Sequence, residues 1–166
     1  MIRVETSIVV DAPIETVFDL ARDIDVHTRT VWKRTKERAV AGRTSGRIEL
    51  GETVTFHATH LGVRQKLTSE IVEFDRPLRF VDRMVRGAFK RMRHEHDFEP
   101  IGDGAQTLMK DTLTFSAPLG PLGWLVERLI LRRYMTRFLE DRNAALKKLA
   151  EETESGSREQ VKSLRT

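Results

Sequence analysis

The last long stretch of the chain, residues 121–152, constrains the fold most strongly. After Gly123 it contains no Gly or Pro, and it is rich in Leu, Arg, Glu, Ala and Lys, which favour helices. On the helical period its large apolar residues form one stripe: Trp124, Leu131, Met135, Phe138, Leu146 and Leu149. The stretch therefore predicts one long C-terminal helix that lies lengthwise on a core and ends before the Ser-Gly-Ser segment at 155–157.

The first half of this predicted helix carries a second apolar surface, on the side opposite to the stripe. Its residues are Leu122, Val126, Leu129 and Ile130. A helix that is apolar nearly all round needs a second apolar partner. This surface therefore predicts either peripheral contact with a membrane or a homodimer interface.

The rest of the chain predicts an antiparallel sheet. A strand at 2–10 is followed by two short helices between residues 11 and 30. Further strands are expected late in 31–40 and at 47–50, 52–61, 63–74, 79–86, 89–99 and 106–116. Short loops between strands imply antiparallel neighbours. The predicted fold class is α+β, with a strongly curved antiparallel sheet wrapped around the long helix. We expect a single domain at 1–153 and a flexible tail at 154–166.

Several local patterns resemble the Bet v 1-like, or START-like, helix-grip superfamily (SRPBCC). Residues 11–18, followed by Asp23, are similar to its usual first-helix pattern, and 80–84, 94–98 and 118–120 are similar to stretches of bacterial relatives. Within the superfamily the chain looks like the polyketide cyclase/dehydrase and lipid-transport branch. The resemblance covers residues 2–152 and implies a helix-grip fold. Because the superfamily includes both carriers and enzymes, the resemblance does not specify an activity.

Alternation along the predicted strands places polar side chains on the inner face of the sheet. His94 and His96 share a face with Phe98, and the same alternation points Asp82 and Asp111 inward. If Phe98 pairs with Thr107, one row across the sheet reads Ser69, Asp82, His94 and Asp111.

Three interpretations of this row stay open. The two carboxylates can hold an imidazole in a purely structural network, or the row can orient one polar group of a ligand. Alternatively, His94 is catalytic, as a general acid or base whose pKa is raised by Asp82 and Asp111. A His-x-His on a strand with a nearby acid can also bind metal. Pairs of strand histidines are more often structural, so we predict no metal and no cofactor.

The function that these patterns favour is binding of a small hydrophobic molecule, of lipid, polyketide or quinone type, between the sheet and the C-terminal helix. The expected ligand-binding residues are Phe56, His60, Gln65, Leu67, Phe80, Met84, Met92, His96, Met109, Leu113, Phe115, Leu131, Met135 and Phe138. The alternatives are a cyclase/dehydrase-type enzyme and a lipid or quinone carrier that docks on membranes. Arg142 is expected to extend out at the edge of the helix stripe, and His27, near the expected mouth of the cavity, to have a capping or surface role.

Composition excludes several other classes. The chain has 29 basic and 25 acidic residues, a net charge of +4. The basic residues accompany no aromatic ladder, helix-turn-helix or zinc spacing, so we predict no nucleic-acid partner. The chain contains no cysteine, which fits a reducing compartment, and no apolar run of membrane-spanning length. We therefore expect a cytoplasmic protein.

Overall fold

The computed structural model describes residues 1–116 and 130–163, which form a curved antiparallel sheet with three α-helices. The elements in chain order are β1 (Ile2–Val10), α1 (Ile14–Ala21), α2 (Ile24–Thr30), a short 3-10 helix (Lys33–Thr35), β2 (Arg38–Gly42), β3 (Thr53–His60), β4 (Val63–Asp75), β5 (Arg79–Arg86), β6 (Arg91–Ile101), β7 (Gln106–Ser116) and α3 (Arg132–Ser163). The seven strands are ordered β1-β7-β6-β5-β4-β3-β2. Every neighbouring pair is antiparallel. The predicted helix-grip fold is confirmed.

One predicted strand is wrong. Residues 47–50 form no strand; Arg47 makes a single bridge to Asp23, and the Ile48 amide donates to the carbonyl of Arg22. Gly46 and Gly51 flank the segment with φ of 68° and 76°, a conformation that glycine adopts without strain. These two bends turn the chain before a ladder can form.

The long C-terminal helix is confirmed in part, and its predicted end is wrong. α3 continues through the Ser-Gly-Ser segment to Ser163. The hydroxyls of Ser155 and Ser157 donate to the carbonyls of Glu151 and Thr153 one turn earlier, so these serines are accommodated within the helix. The flexibility of residues 154–166 stays a prediction. No helix in the part of the chain that the structure describes is long and apolar enough to cross a membrane.

Two apolar clusters hold the helices against the sheet. In the larger one, the Phe18 ring of α1 lies edge-on to Phe74, Phe80 and Phe98, with centroids 5.3–5.5 Å apart. Leu146 of α3 is fully buried in the same cluster. The smaller cluster joins the first half of α3 to β1, β7 and β6 through Val4, Met92, Leu113, Phe115 and Leu139. α3 is therefore fixed at two places along its length.

The register between β6 and β7 differs from the prediction by two residues. Phe98 pairs with Met109, so His96 lies opposite Asp111 and His94 lies opposite Leu113. The strands run on to Ile101 and Gln106, leaving a shorter turn than expected. A shift of two residues preserves the face of every side chain, and the inward direction of both histidines and of Asp111 is confirmed.

On the other side of β6, the pairing of Asp82 with His94 is confirmed. The predicted pairing of Ser69 with Asp82 is wrong, because Ser69 lies opposite Met84 and Ile71 lies opposite Asp82. The pairing already differs next to the turn, where Phe74 lies opposite Phe80, and a register shift between Ile71 and Glu73, typical of a β-bulge, changes it by one residue. Burial acts to raise the pKa of the Asp82 carboxyl, and Ser69 is nevertheless among the neighbours, after His96 and His94, that lower it.

Candidate functional site

A cavity of about 460 Å³ lies between the inner face of the sheet and the first half of α3. Side chains of both apolar clusters line it, so the cavity lies between the two clusters. Of the predicted ligand-binding residues, those that line the cavity are Phe56, His60, Gln65, Leu67, Phe80, Met92, His96, Leu113, Leu131, Met135 and Phe138. Their role in binding stays a prediction.

Three predicted wall residues do not line this cavity. Met109 is fully buried in the larger cluster, and Phe115 is buried in the smaller one with its ring 5.2 Å from that of Phe89. Met84 packs on the smaller cluster near Gly87. The inner face of a curved sheet is wider than the cavity, so inward direction alone does not bring a residue to the cavity wall.

The surface predicted for membrane or dimer contact is mostly outside the described residues. Leu122, Val126 and Leu129 lie there, as does Trp124 of the helix stripe. Ile130 is described and is 49% exposed. The two proposed uses of this surface stay predictions.

A buried carboxylate, Asp111, organises the polar end of the cavity. Its Oδ1 lies 2.6 Å from His96 Nδ1 and 2.9 Å from His94 Nε2. The rings are not angled as hydrogen bonds require, so both are close electrostatic contacts. Asp111 Oδ2 accepts a hydrogen bond of 2.6 Å from Asn143 Nδ2, which also donates to Thr6 Oγ1. Asn143 thereby ties α3 to the acid on the sheet.

The second acid, Asp82, approaches the opposite edges of the same two rings. Its Oδ2 lies 3.5 Å from His96 Nε2 and 3.8 Å from His94 Nδ1. The His96 ring stacks on Phe80, with centroids 4.2 Å apart, and the His94 ring centroid lies 3.9 Å from that of His96. Each imidazole therefore has one nitrogen near Asp111 and the other near Asp82. We name these four residues, Asp82, His94, His96 and Asp111, the two-acid cluster.

The pKa values of the two histidines of this cluster shift in opposite directions. Burial acts to lower the pKa of His96, but the charge of Asp111 and contact with both acids outweigh it and raise the pKa. For His94, burial and the charge on His96 together lower the pKa despite the nearby acids. Burial would raise the pKa of Asp111, yet the charged His96 holds it well below the usual value. The predicted rise of the His94 pKa is therefore wrong, because burial and the charge on His96 outweigh the two acids.

Arg142 also lines the cavity, contrary to the expected outward position. It is 3% exposed, and its guanidinium donates only a long hydrogen bond, 3.4 Å, to the carbonyl of Ala21. Its Nε has no hydrogen-bond partner among the described residues. The helix stripe correctly places Arg142 on the inner face. The expected outward position is wrong because the cavity beside α3 leaves room for the guanidinium inside.

A second polar group in the cavity wall was missed by the sequence analysis. Glu37 Oε1 lies 2.8 Å from His27 Nε2, and Glu37 Oε2 lies 3.7 Å from His60 Nε2. His60 Nδ1 shares a hydrogen bond of 2.9 Å with the Tyr134 hydroxyl, and the His27 ring stacks on Phe56. His27 is thus half-buried in the cavity wall. Glu37 follows the 3-10 helix in a stretch without periodicity, so no sequence signal marked its inward face.

The lowered pKa of the Glu37 carboxyl predicts that the folded protein loses stability in acid. The titratable neighbours of Glu37 are His27, His60 and Tyr134. Burial acts to raise the pKa of Glu37, but its contacts with the two histidines outweigh burial and lower the pKa to about 2. A depressed pKa stabilises the fold above the ordinary value of 4.5, and this contribution is lost as the pH falls from 4.5 toward 2. We therefore expect Glu37→Gln to lower the free energy of unfolding by roughly 3 kcal/mol at pH 7, with the difference from wild type disappearing by pH 2.

Urea unfolding of both proteins between pH 2 and pH 7 measures this difference. Glu99→Gln is a suitable control, because Glu99 is exposed and contacts only Lys110. A difference between wild type and Glu37→Gln that does not change with pH would contradict the assignment of the buried charge to Glu37.

The curved sheet, the long helix and the cavity between them define the class of START-like, Bet v 1-like helix-grip proteins. Similar solved structures include TTHA0849 from Thermus thermophilus, with a TM-score of 0.72 and 22% identity over 89% of this chain and 95% of that chain. A START superfamily protein from Mycobacterium smegmatis has a TM-score of 0.70 and 16% identity over 91% of this chain and 98% of that one. Ara h 8.0201 has a TM-score of 0.59 and 13% identity over 87% and 97%. These likenesses show the fold.

The chain belongs to the polyketide cyclase / dehydrase and lipid transport family, whose model matches residues 1–151. The predicted superfamily is confirmed. Among curated proteins, none matches this sequence at a significant level. The family supports a fold for hydrophobic ligands without specifying the ligand.

Proposed function

We propose that the protein binds one small, mostly apolar molecule, of lipid, polyketide or quinone type, in the cavity beneath α3. The observation that carries this proposal is the cavity itself, whose volume of about 460 Å³ falls within the usual range of small-molecule sites. Its walls are mainly apolar, and its polar groups include Asp82, His94, His96 and Arg142. Such a cavity favours a ligand with one polar group and a larger apolar body.

Burial of the apolar body supplies the affinity. Each Å² of apolar surface removed from water contributes about 25 cal/mol, before the cost of association is subtracted. Met92 and Met135 lie on opposite walls, one on β6 and one on α3. Methionine is flexible and polarisable, so these two side chains can adapt to ligands of different shape.

The alternatives predicted from the sequence receive less support. The acid-base enzyme depended on a raised pKa of His94, whereas the pKa of His94 is lowered. The membrane-docking carrier depends on a surface that is mostly outside the described residues. A cytoplasmic location belongs to our proposal and is supported by the absence of cysteine from all 166 residues.

A series of straight-chain alcohols tests the proposal. Each added methylene contributes about 0.8 kcal/mol when it is buried, so the affinity is expected to rise by up to about fourfold per carbon until the cavity is filled. Isothermal titration of the protein with 1-hexanol to 1-dodecanol measures this trend. An affinity that does not change with chain length would show that the cavity does not bury the alcohol.

A further inference from the structure

We propose that Asp82, His94 and His96 bind a divalent transition-metal ion at the polar end of the cavity. Each of the three residues offers one ligand atom, and these atoms all lie within 4.8 Å of one another. Asp82 Oδ2 is 3.5 Å from His96 Nε2 and 3.8 Å from His94 Nδ1. The site is independent of the ligand binding proposed above, because the protein's own side chains hold the ion.

The spacing of these atoms fits a metal with little movement. Zinc-nitrogen and zinc-oxygen bonds are about 2.0–2.2 Å long, which puts neighbouring ligand atoms about 3–3.5 Å apart. Both separations involving Asp82 are at this distance or slightly above it. Two imidazoles and one carboxylate are the donor set of open zinc sites and of non-haem ferrous sites.

The surroundings of the two histidines support a metal site more than a simple ion pair. Metal-bound histidines usually have the second ring nitrogen held by a carboxylate or carbonyl, which fixes the orientation of the ring. Here Asp111 contacts the far nitrogen of both rings, and Asn143 holds Asp111 in turn. Stacking on Phe80 fixes the His96 ring. The nitrogens that remain are those that approach Asp82.

Charge and access also fit. Two carboxylates, Asp82 and Asp111, balance a divalent ion when both imidazoles are neutral. All three proposed ligand residues line the cavity, so an ion there has open positions on the cavity side. An oxygen donor from a bound molecule can fill such a position. The site therefore favours a cavity ligand that carries a hydroxyl, carbonyl or carboxylate oxygen.

Zinc titration of the metal-stripped protein tests this site. Isothermal titration is expected to show one Zn²⁺ per chain, with the affinity reduced at least about a hundredfold in His94→Gln and in Asp82→Asn. His57→Gln is the matched control, because His57 is on β3 and does not line the cavity. Cobalt absorption provides the second readout, since a visible spectrum typical of nitrogen and oxygen ligands is expected in wild type and absent in both ligand variants.

Folding of each variant is checked by circular dichroism, and Asp82→Asn is the milder change because its side chain is 16% exposed. Equal zinc affinity in His57→Gln, His94→Gln and Asp82→Asn would overturn the proposed site, as would the absence of zinc binding to folded wild type. Titration of metal-free wild-type protein with 1-octanol, beside its zinc titration, separates the two proposals. Octanol binding without zinc binding refutes the metal site alone, and the reverse refutes the apolar site alone.

Discussion

Replacing Asp111 by alanine is expected to lower the free energy of unfolding by about 3–5 kcal/mol, the cost of breaking a buried ion pair by removing one partner. Asp111 is fully buried and contacts His94, His96 and the amide of Asn143. The substitution leaves the Asn143 amide without this buried acceptor and both imidazoles without the adjacent negative charge, and it adds a small cavity. No other single side chain in the described structure joins both histidines of the two-acid cluster to α3.

Urea unfolding monitored by circular dichroism measures this effect, with Asp97→Ala as the matched control. Asp97 faces the other side of the sheet on β6, where it pairs with Arg79 and its side chain is 38% exposed. An exposed pair contributes about 1 kcal/mol or less, so the control is expected to remain close to wild type. Equal losses in the two variants would contradict the role assigned to Asp111.

The second large effect is expected in ligand binding. Leu67 of β4 is half-buried and lines the cavity. In Leu67→Trp the larger side chain occupies space that a ligand would fill, and displacing the equivalent of two methylenes weakens binding of 1-octanol by about tenfold or more. The thermal unfolding temperature is expected to stay near that of wild type, since the indole enters open space.

Val85→Trp provides the control for this variant. Val85 lies on the neighbouring strand β5, is 58% exposed and does not line the cavity. The same residue is thus introduced outside the site, and octanol affinity is expected to be unchanged. Equal weakening in both variants, or unchanged affinity in a folded Leu67→Trp protein, would show that octanol binds elsewhere.

The faces of the strands could be predicted from the sequence because side chains alternate strictly along a strand. Phe98, His94 and His96 on β6 share one face whatever the exact register. This is why Asp82, His94 and Asp111 were correctly brought to one region before any distance was known. The fold could be predicted from the order of elements and from the apolar stripe of α3 for a similar reason. Neither of these features changes when the predicted bounds of an element are wrong by a few residues.

Register and charge could not be predicted in the same way. The pairing of His96 rather than His94 with Asp111 depends on how far β6 and β7 extend before their turn, and residues near Gly102 fit more than one turn length. The bulges in β4 have no clear signal in its sequence. The predicted rise of the His94 pKa is wrong because burial and the charge on His96 outweigh the two acids, and neither effect can be read from strand alternation.

The cavity lining also contains residues that are distant in sequence and lack a common period. Glu37 and His27 meet because the chain folds back between α2 and β2, and Tyr134 reaches His60 from α3. None of these contacts follows from alternation within one element. Arg142 was assigned to the inner stripe, yet its burial depends on the open space beside it.

The central claim, that an apolar molecule enters the cavity beneath α3, is tested most directly by the five methionines of the chain. Met92 and Met135 line the cavity, Met109 is fully buried outside it, and Met1 is 83% exposed. In a titration of methyl-labelled protein with 1-octanol, followed by NMR, we expect the methyl resonances of Met92 and Met135 to shift and saturate together, while those of Met1 and Met109 remain in place. Unshifted Met92 and Met135 resonances at saturating octanol would contradict the claim.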